Sequence, residues 1–387
     1  PVQGMEISLY PTYNALSKLI YSDPQMRGDI ICIGGTSQWP ATIFRGIDQW
    51  GERYGYILVD PIGGAIGAFS QADGISTGGQ ARTPICKMPN IEHTEQDFPV
   101  LFLYRKEVPD SGGAGKFRGG LSAESCFVPH NTPSITQDTL SSGNATPTAT
   151  GMMGGYPGTT NEYKYVSHSD IQDRIKSRKM IDDISEVAGE SVTLQLRQVN
   201  FEQLPADVYS VVCSAAGGFG DPLDRDPQKV KEDVEAHSVT VDGAREMYGV
   251  VIESETGELD HDATESLRTN ARNERLNGHR LHPIKANGEL LLEVTENIHM
   301  RSTKGRTVYC CAKCQTEIGQ VGENYKEHCI RIDKHVSKSN LLIGEPSRFI
   351  DDVPQFRQFV CPGCGTLIEN EIAMKGEPLL MDVHIEK

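Results

Sequence analysis

Cys311-Ala-Lys-Cys314 is answered, after 46 intervening residues, by Cys361-Pro-Gly-Cys364. Two such knuckles bring four thiolates to one tetrahedral point, the arrangement of a zinc site. Thiolate is a soft ligand that suits Zn2+, and a two-residue gap lets a tight turn aim both sulfurs at one place. Gly363 is expected to supply the unusual backbone angle of the second turn. The competing readings are four metal-free reduced cysteines or a redox dithiol. A dithiol motif normally occurs once, at the start of a helix, so its doubling here favours metal. Four protein ligands leave no open position, which makes the zinc structural and places catalysis elsewhere. Cys310, His328 and Cys329 lie close enough in sequence to stand as alternative ligands.

Composition narrows the class. The chain has 387 residues, 37% hydrophobic and 23% charged, with a net charge of −16. That length accommodates two or three cores, and the composition is that of an ordinary globular protein. The acidity argues against nucleic acid as a partner, because phosphate contacts need clustered Lys and Arg. Residues 301–340 do carry eight basic residues against four acidic ones, but zinc-bound thiolates offset that excess. No apolar run reaches membrane-spanning length, no signal segment opens the chain, and ten cysteines in a chain this long fit a reducing compartment. The expectation is cytoplasmic, with no membrane partner. Asn144-Ala145-Thr146 matches a glycosylation acceptor and is discounted as chance.

Along the chain, a helical pattern runs through Tyr13, Leu16, Leu19 and Ile20. Asp29–Ile33, Tyr54–Val59 and Phe98–Tyr104 read as strands. Six glycines fall between Gly63 and Gly79. Three denser blocks follow: Asp110-Ser-Gly-Gly-Ala-Gly-Lys-Phe-Arg-Gly-Gly-Leu121, Ala149-Thr-Gly-Met-Met-Gly-Gly-Tyr-Pro-Gly158 and Gly217-Gly-Phe-Gly-Asp-Pro-Leu-Asp-Arg-Asp-Pro227. Glycine at this density allows close approach of backbone to a ligand or to other backbone, and tight packing is the plainer reading. None of it is a phosphate loop: Gly115-Lys116 is followed by Phe117, and Asp110 stands where the first glycine belongs. The polar stretch Asn131–Thr148 is expected to be a mobile loop. After Asp226, a cap with Pro227 in the first turn and Val230 and Val234 as an i,i+4 apolar pair, a helix is expected, followed by helices over Asp242–Tyr248, ending at Gly249, and from about Ala263 to Leu276, with a short strand at Gly249–Ile252. Glu289–Val294 reads as a strand. The fold class is α+β, a β-rich, glycine-rich main part with C-terminal helices followed by a small zinc-ribbon-like part. The boundary is placed at 280, giving segments 1–280 and 281–387.

Two resemblances attach to these motifs. Asn324-Tyr-Lys-Glu-His328, the second knuckle within Phe359–Glu369, and Gly376-Glu-Pro-Leu-Leu-Met-Asp382 resemble the zinc-binding gamma subunit of acetone carboxylase and its acetophenone carboxylase relatives. The three glycine blocks, in order, resemble the hydantoinase B family. That family includes the alpha-type subunits of these carboxylases and subunits of hydantoinases and 5-oxoprolinases. The resemblance implies a subunit, inactive alone, of a biotin-independent complex that phosphorylates the enol of a ketone with ATP and carboxylates it with bicarbonate. It also implies hydantoinase A-like ATPase partners holding ATP, a second divalent metal on partner subunits, and another subunit supplying the N-terminal half of the hydantoinase B fold. An ATP-dependent hydantoinase or oxoprolinase subunit, and a zinc-ribbon scaffold or binding module, are the alternatives.

Other candidates are weaker. His93 sits among Glu92, Glu95 and Asp97, a possible metal or acid–base cluster whose plainer alternative is a solvated acidic loop. Lys116 and Arg118 offer donors for phosphate or bicarbonate, against a more ordinary role in ion pairs or a subunit contact. His279 and His282 have ligand spacing but no acidic or cysteine neighbour, and read as linker residues. No catalytic residue is assigned.

Overall fold

The computed structural model describes residues 2–29, 40–80, 83–84, 86, 88–276 and 283–385. Two antiparallel sheets face each other in the first half. One has the order Arg197–Gln203, Ile135–Leu140, Ala41–Ile47, Arg53–Leu58; the other runs Val100–Glu107, Ala123–Pro129, Val208–Val212, Glu162–Ser167, Glu190–Val192. Their inner faces meet in an aromatic core in which Phe44, Leu58 and Ile135 oppose Phe102, Phe127 and Tyr209. The Phe44 and Phe127 rings lie 5.7 Å apart, and the Thr42 hydroxyl meets the Tyr209 hydroxyl at 2.6 Å. Each fully buried aromatic of this kind contributes about 1.5–3 kcal/mol. Ala123–Pro129 is buried along its whole length because the outer face of its sheet is covered too, with Ile171, Ile181, Ile184 and Val187 over Leu103, Cys126 and Val128.

The strands expected at Tyr54–Val59 and Phe98–Tyr104 form as Arg53–Leu58 and Val100–Glu107; the one expected at Asp29–Ile33 lies largely outside the described residues. The stretch 131–148 departs from expectation. Its centre, Ile135–Leu140, is an inner strand paired on both sides. Its inward positions are Ile135, Gln137 and Thr139, all fully buried, and two of those three are polar. Gln137 is kept there by a hydrogen bond to Gln203, whose amide also donates to the Asp207 carbonyl at 2.8 Å. A strand that buries amides carries little alternation to read. The Asn144 acceptor is buried as well, at 6% exposure.

The first helix, Val2–Tyr21, also turns differently from its apolar pattern. Tyr10, Ser17 and Tyr21 face inward, while Leu16 and Leu19 are 46% and 70% exposed. The helices after the third glycine block follow their signals. Asp226 caps Pro227–Glu235 by accepting from Gln228 N at 2.9 Å, Thr240 caps Val241–Tyr248, and Gly249 ends that helix at φ +61°. His261–Leu276 follows. The C-terminal segment has a four-stranded sheet (Glu289–Glu293, Ile298–Thr303, Arg306–Cys311, Glu317–Gln320) and a three-stranded one (Ile330–His335, Pro354–Val360, Leu367–Met374). No helix among the described residues is long and apolar enough to cross a membrane.

The glycine blocks converge on one another. Gly113 N donates to Ala216 O at 2.8 Å, Tyr156 N to Ala114 O at 2.7 Å, Met152 N to Gly218 O at 3.0 Å and Ala68 N to Gly217 O at 3.0 Å, while Phe117 and Phe219 exchange a backbone pair. Main chain runs against main chain with no room for side chains. A Cβ at Gly113 would lie 2.1 Å from Tyr156 O, at Gly119 2.0 Å from Ala216 O, and at Gly155 2.0 Å from Gly218 O. Tight packing is thus the role of these glycines, as the plainer reading had it.

Gly155→Ala is expected to destabilise the protein by more than about 3 kcal/mol, since backbone rather than a movable side chain must give way. The exposed Gly55, where an added Cβ meets nothing within 4 Å, is the control: Gly55→Ala should stay within about 1 kcal/mol in the same denaturant titration.

Candidate metal centre

The two knuckles share one construction. In the first, Cys311 N donates to Thr316 O and Gln315 N to Cys311 O, both at 2.9 Å; in the second, Cys361 N donates to Thr366 O at 2.9 Å and Gly365 N to Cys361 O at 3.0 Å. Each turn passes through a left-handed residue at the same point, Gln315 at φ +59° and Gly365 at φ +74°. The expected role of Gly363 is therefore corrected. Gly365 carries the unusual angle, and Gly363 is required for space, because a Cβ there would lie 2.0 Å from Thr316 Oγ1. The Thr316 and Thr366 hydroxyls stand 3.1 and 3.2 Å from the sulfurs of Cys314 and Cys364, placed to donate to thiolates. The threonine two residues past the last cysteine occurs in both knuckles and was a readable signal that sequence reasoning passed over.

The four sulfurs lie within 4.8 Å of one another, with Cys311–Cys364 at 3.8 Å and Cys314–Cys361 at 3.5 Å. Sulfurs on a zinc tetrahedron, each about 2.3 Å from the metal, stand about 3.8 Å apart, so the donor set fits that ion. The separations are far too long for disulfides. Contact among the sulfurs drives Cys314 well below the usual thiol range and Cys364 down to about 6, while Cys311 and Cys361 are driven up. Four thiolates this close need a cation to coexist. The cluster could hold a metal ion, and it is the one such group of His, Cys, Asp and Glu among the described residues. Cys310 packs with Ala286 and Val308, Cys329 belongs to the apolar cluster around Tyr325, and His328 pairs with Glu323 at 3.2 Å; none joins the four sulfurs.

Around this centre the C-terminal segment is bound to the glycine-rich one by buried polar contacts. Asn297 Nδ2 donates to Met153 O at 2.6 Å and to Leu367 O at 3.1 Å. Asp221, from the third glycine block, accepts from Leu367 N at 3.0 Å and from Arg275 Nη1 at 2.7 Å, and Arg275 also reaches Gly365 O. Against the effect of burial, the Arg275 guanidinium holds the Asp221 carboxyl below the usual range. Asn370 Nδ2 donates to Gly155 O at 2.6 Å, and Gln358 Nε2 to the Tyr156 hydroxyl at 2.8 Å. Apolar side chains of both segments merge in one cluster, in which Tyr156, Val230 and Tyr248 meet Phe356, Val360 and Leu367.

A second group of charges closes the seam. Lys18 pairs with Glu369 at 2.8 Å and with Asp382; Lys326 pairs with Glu371 at 3.1 Å and Asp382 at 3.2 Å; Arg357 pairs with Glu371 at 3.1 Å. Burial alone would raise Asp382, but Lys18 and Lys326 hold it down to about 2. Lys326 belongs to the tyrosine-lysine-glutamate-histidine run, and its role is to anchor the chain's closing stretch.

The remaining candidates separate. His93, Glu92 and Asp97 are exposed on a short helix, Ile91–Asp97, while Glu95 accepts from Phe102 N at 2.7 Å, so the four do not converge on a metal. Lys116 pairs with Glu296 across the seam, and Arg118, only 7% exposed, lies beside Asp233 and donates to Gly119 O at 2.8 Å. These are internal contacts. His279 and His282 lie outside the described residues.

Fold and centre define a class: an α+β protein in which a glycine-interlocked β-sandwich is joined to a strand-rich module with a four-cysteine cluster. Residues 13–222 match the family model of hydantoinase B/oxoprolinase, and residues 284–386 match that of the acetone carboxylase gamma subunit. The chain belongs to the hydantoinase B/oxoprolinase family. It is 26% identical over 266 residues to the acetophenone carboxylase delta subunit of Aromatoleum aromaticum, covering 66% of this chain and 39% of that one. It is 29% identical over 249 residues to the acetone carboxylase alpha subunit of Xanthobacter autotrophicus, covering 60% and 32%. With the caprolactamase subunit beta of Pseudomonas jessenii it shares 32% identity over 217 residues, covering 55% and 33%. The chain thus matches between 32% and 39% of the length of these relatives. Its fold matches nucleotide-free acetone carboxylase with a TM-score of 0.57 at 24% identity, over 66% of this chain and 35% of that one.

Replacing Cys314 or Cys361 by Ser is expected to remove most bound metal, read by elemental analysis, while Cys310→Ser and Cys329→Ser retain it. The Asp382 pairs also predict a pH dependence. A carboxyl lowered from 3.8 to about 2 contributes stability that is present above about pH 4 and is lost as pH falls towards 2. Asp382→Asn should therefore lower the denaturation midpoint at pH 6, with a penalty that shrinks between pH 4 and 2.5.

Proposed function

We propose that this chain is a subunit of a biotin-independent, ATP-dependent ketone carboxylase of the acetone or acetophenone carboxylase type. The observation that carries the reading is the coexistence, in one chain and across one buried seam, of a hydantoinase B segment and an acetone carboxylase gamma-like segment. A caprolactamase subunit is among the relatives of this chain, so the gamma-like part tips the choice towards carboxylation over ATP-dependent amide hydrolysis. We assign the organisation as 1–280 and 281–387. Joining the two parts covalently fixes their stoichiometry and raises their effective concentration.

In this reading Cys311, Cys314, Cys361 and Cys364 hold one structural zinc. That ion would neutralise the clustered thiolates and lock the two knuckles together, with no open position for substrate. The chain's own residues supply the frame: Asp221 and Arg275 tie the second knuckle to the third glycine block. ATP and a second divalent metal are bound by partner subunits, the ATPase partners being hydantoinase A-like. A phosphorylated enol and an activated bicarbonate are labile in water, so the complex must enclose them, and rigid backbone walls suit that task.

The test is native mass spectrometry of the protein with its co-purifying partners, together with metal analysis and an ATPase assay. A hetero-oligomer with about one zinc per chain and ATP hydrolysis that requires both a ketone and bicarbonate is the expected result. ATP hydrolysis driven by a lactam or hydantoin without bicarbonate would assign the amidohydrolase instead, and a zinc-bearing monomer without ATPase partners would leave only a binding module.

A further inference from the structure

Where the first helix, the second glycine block and the end of the chain meet there is an open cavity of about 540 Å3. Its size is that of a small-molecule site. Its lining includes Tyr10, Pro11, Ala15 and Lys18 of the helix and Leu380 and Met381 of the closing stretch. Leu380 and Met381 are 63% and 40% exposed, an apolar edge that nothing in the chain covers among the described residues. Two cations, Lys18 and Lys326, and three carboxylates, Glu369, Glu371 and Asp382, line it, and the fully buried Arg357 behind Glu371 completes the balance, so that each charge is paired with a partner of opposite sign.

This balance decides what the cavity accepts. A carboxylate or an ammonium ion would enter without a counter-charge and would have to break an existing pair, a cost because the paired groups are themselves largely buried. A neutral molecule disturbs nothing. Among the described residues, Glu369 and Asp382 take two of the three N–H groups of Lys18, so one donor is left for an acceptor oxygen. Lys18 remains an ammonium, because the attraction of Asp382 and Glu369 outweighs the effect of burial and holds it above the usual lysine range.

We propose that this cavity is a binding site for a small uncharged carbonyl compound, its oxygen on Lys18 Nζ and its apolar body between the Tyr10–Ala15 face and Leu380–Met381. The site is separate from the four-cysteine centre and stands whether or not the complex is a carboxylase. The gap spans the seam between the two segments, so occupancy also joins them, and binding is expected to raise the stability of the native chain.

The test uses the full chain, a methyl-labelled Met381 as NMR reporter, and four probes of one ring size: cyclohexanone, methylenecyclohexane, cyclohexylamine and cyclohexanecarboxylate. Cyclohexanone should shift the Met381 methyl saturably and bind about tenfold tighter than methylenecyclohexane, which lacks the acceptor; the two charged probes should bind more weakly still. Ala15→Trp, which fills the cavity without touching an ion pair, should abolish the shift while metal content stays unchanged. Lys18→Met should erase the preference for the ketone over the alkene. The proposal is overturned if the charged probes bind as well as cyclohexanone, if methylenecyclohexane matches it, if the Met381 methyl does not respond, or if the response survives Ala15→Trp.

Discussion

Main chain packed directly on main chain is the constraint on which the architecture rests. Residues 110–121, 149–158 and 217–220 cross one another at distances where a Cβ on Gly113, Gly119, Gly151, Gly155 or Gly217 would overlap a backbone carbonyl. Each crossing is closed by backbone hydrogen bonds, so the polar groups brought inside are satisfied. The entropy lost by ordering so many glycines is substantial. The aromatic core between the two sheets and the merged apolar cluster offset it. These crossings also account for the buried carbonyls of Met153 and Gly155, which become the acceptors to which the C-terminal segment attaches.

That attachment is polar where it is most specific. Asn297 joins Met153 to Leu367, and Asp221 joins Leu367 and Arg275, so a glycine turn and a cysteine knuckle are positioned by the same few side chains. The buried ion pairs at Lys18, Lys326 and Arg357 add register more than net energy, since desolvation takes back much of what the pairing gains. Removing one partner is a different matter, because it leaves a charge buried alone. The sulfur centre, the seam and the glycine crossings therefore form one continuous polar frame with apolar clusters on either side.

Local signals were legible where a short segment decides its own conformation. The paired cysteines, the Asp226–Pro227 helix start, the Gly249 stop and the strand at Glu289–Glu293 needed no distant contact to be recognised. Reading failed where the partner lies far off in sequence. Ile135–Leu140 looked like a loop because Gln137 satisfies its amide with Gln203, 66 residues away. The first helix was given the wrong face because Lys18 goes inward to acids 351 and 364 residues distant, leaving Leu16 and Leu19 outside. Gly363 and Gly365 were distinguishable only once Thr316 of the other knuckle was in place.

The sequence by itself determined the chemistry available: four thiolates in two knuckles, backbone free to approach backbone at the glycine blocks, helices after Asp226 and an acidic chain. These follow from residue type and short spacing, which act through covalent geometry and local hydrogen bonds. Only the tertiary structure decided that the glycines meet each other, that Asp221 and Glu369 face the seam, and that Lys18, Lys326 and the buried Arg357 balance three carboxylates around one cavity. The physical reason is range: such contacts join residues tens to hundreds of positions apart, and their worth depends on the burial that the whole fold creates.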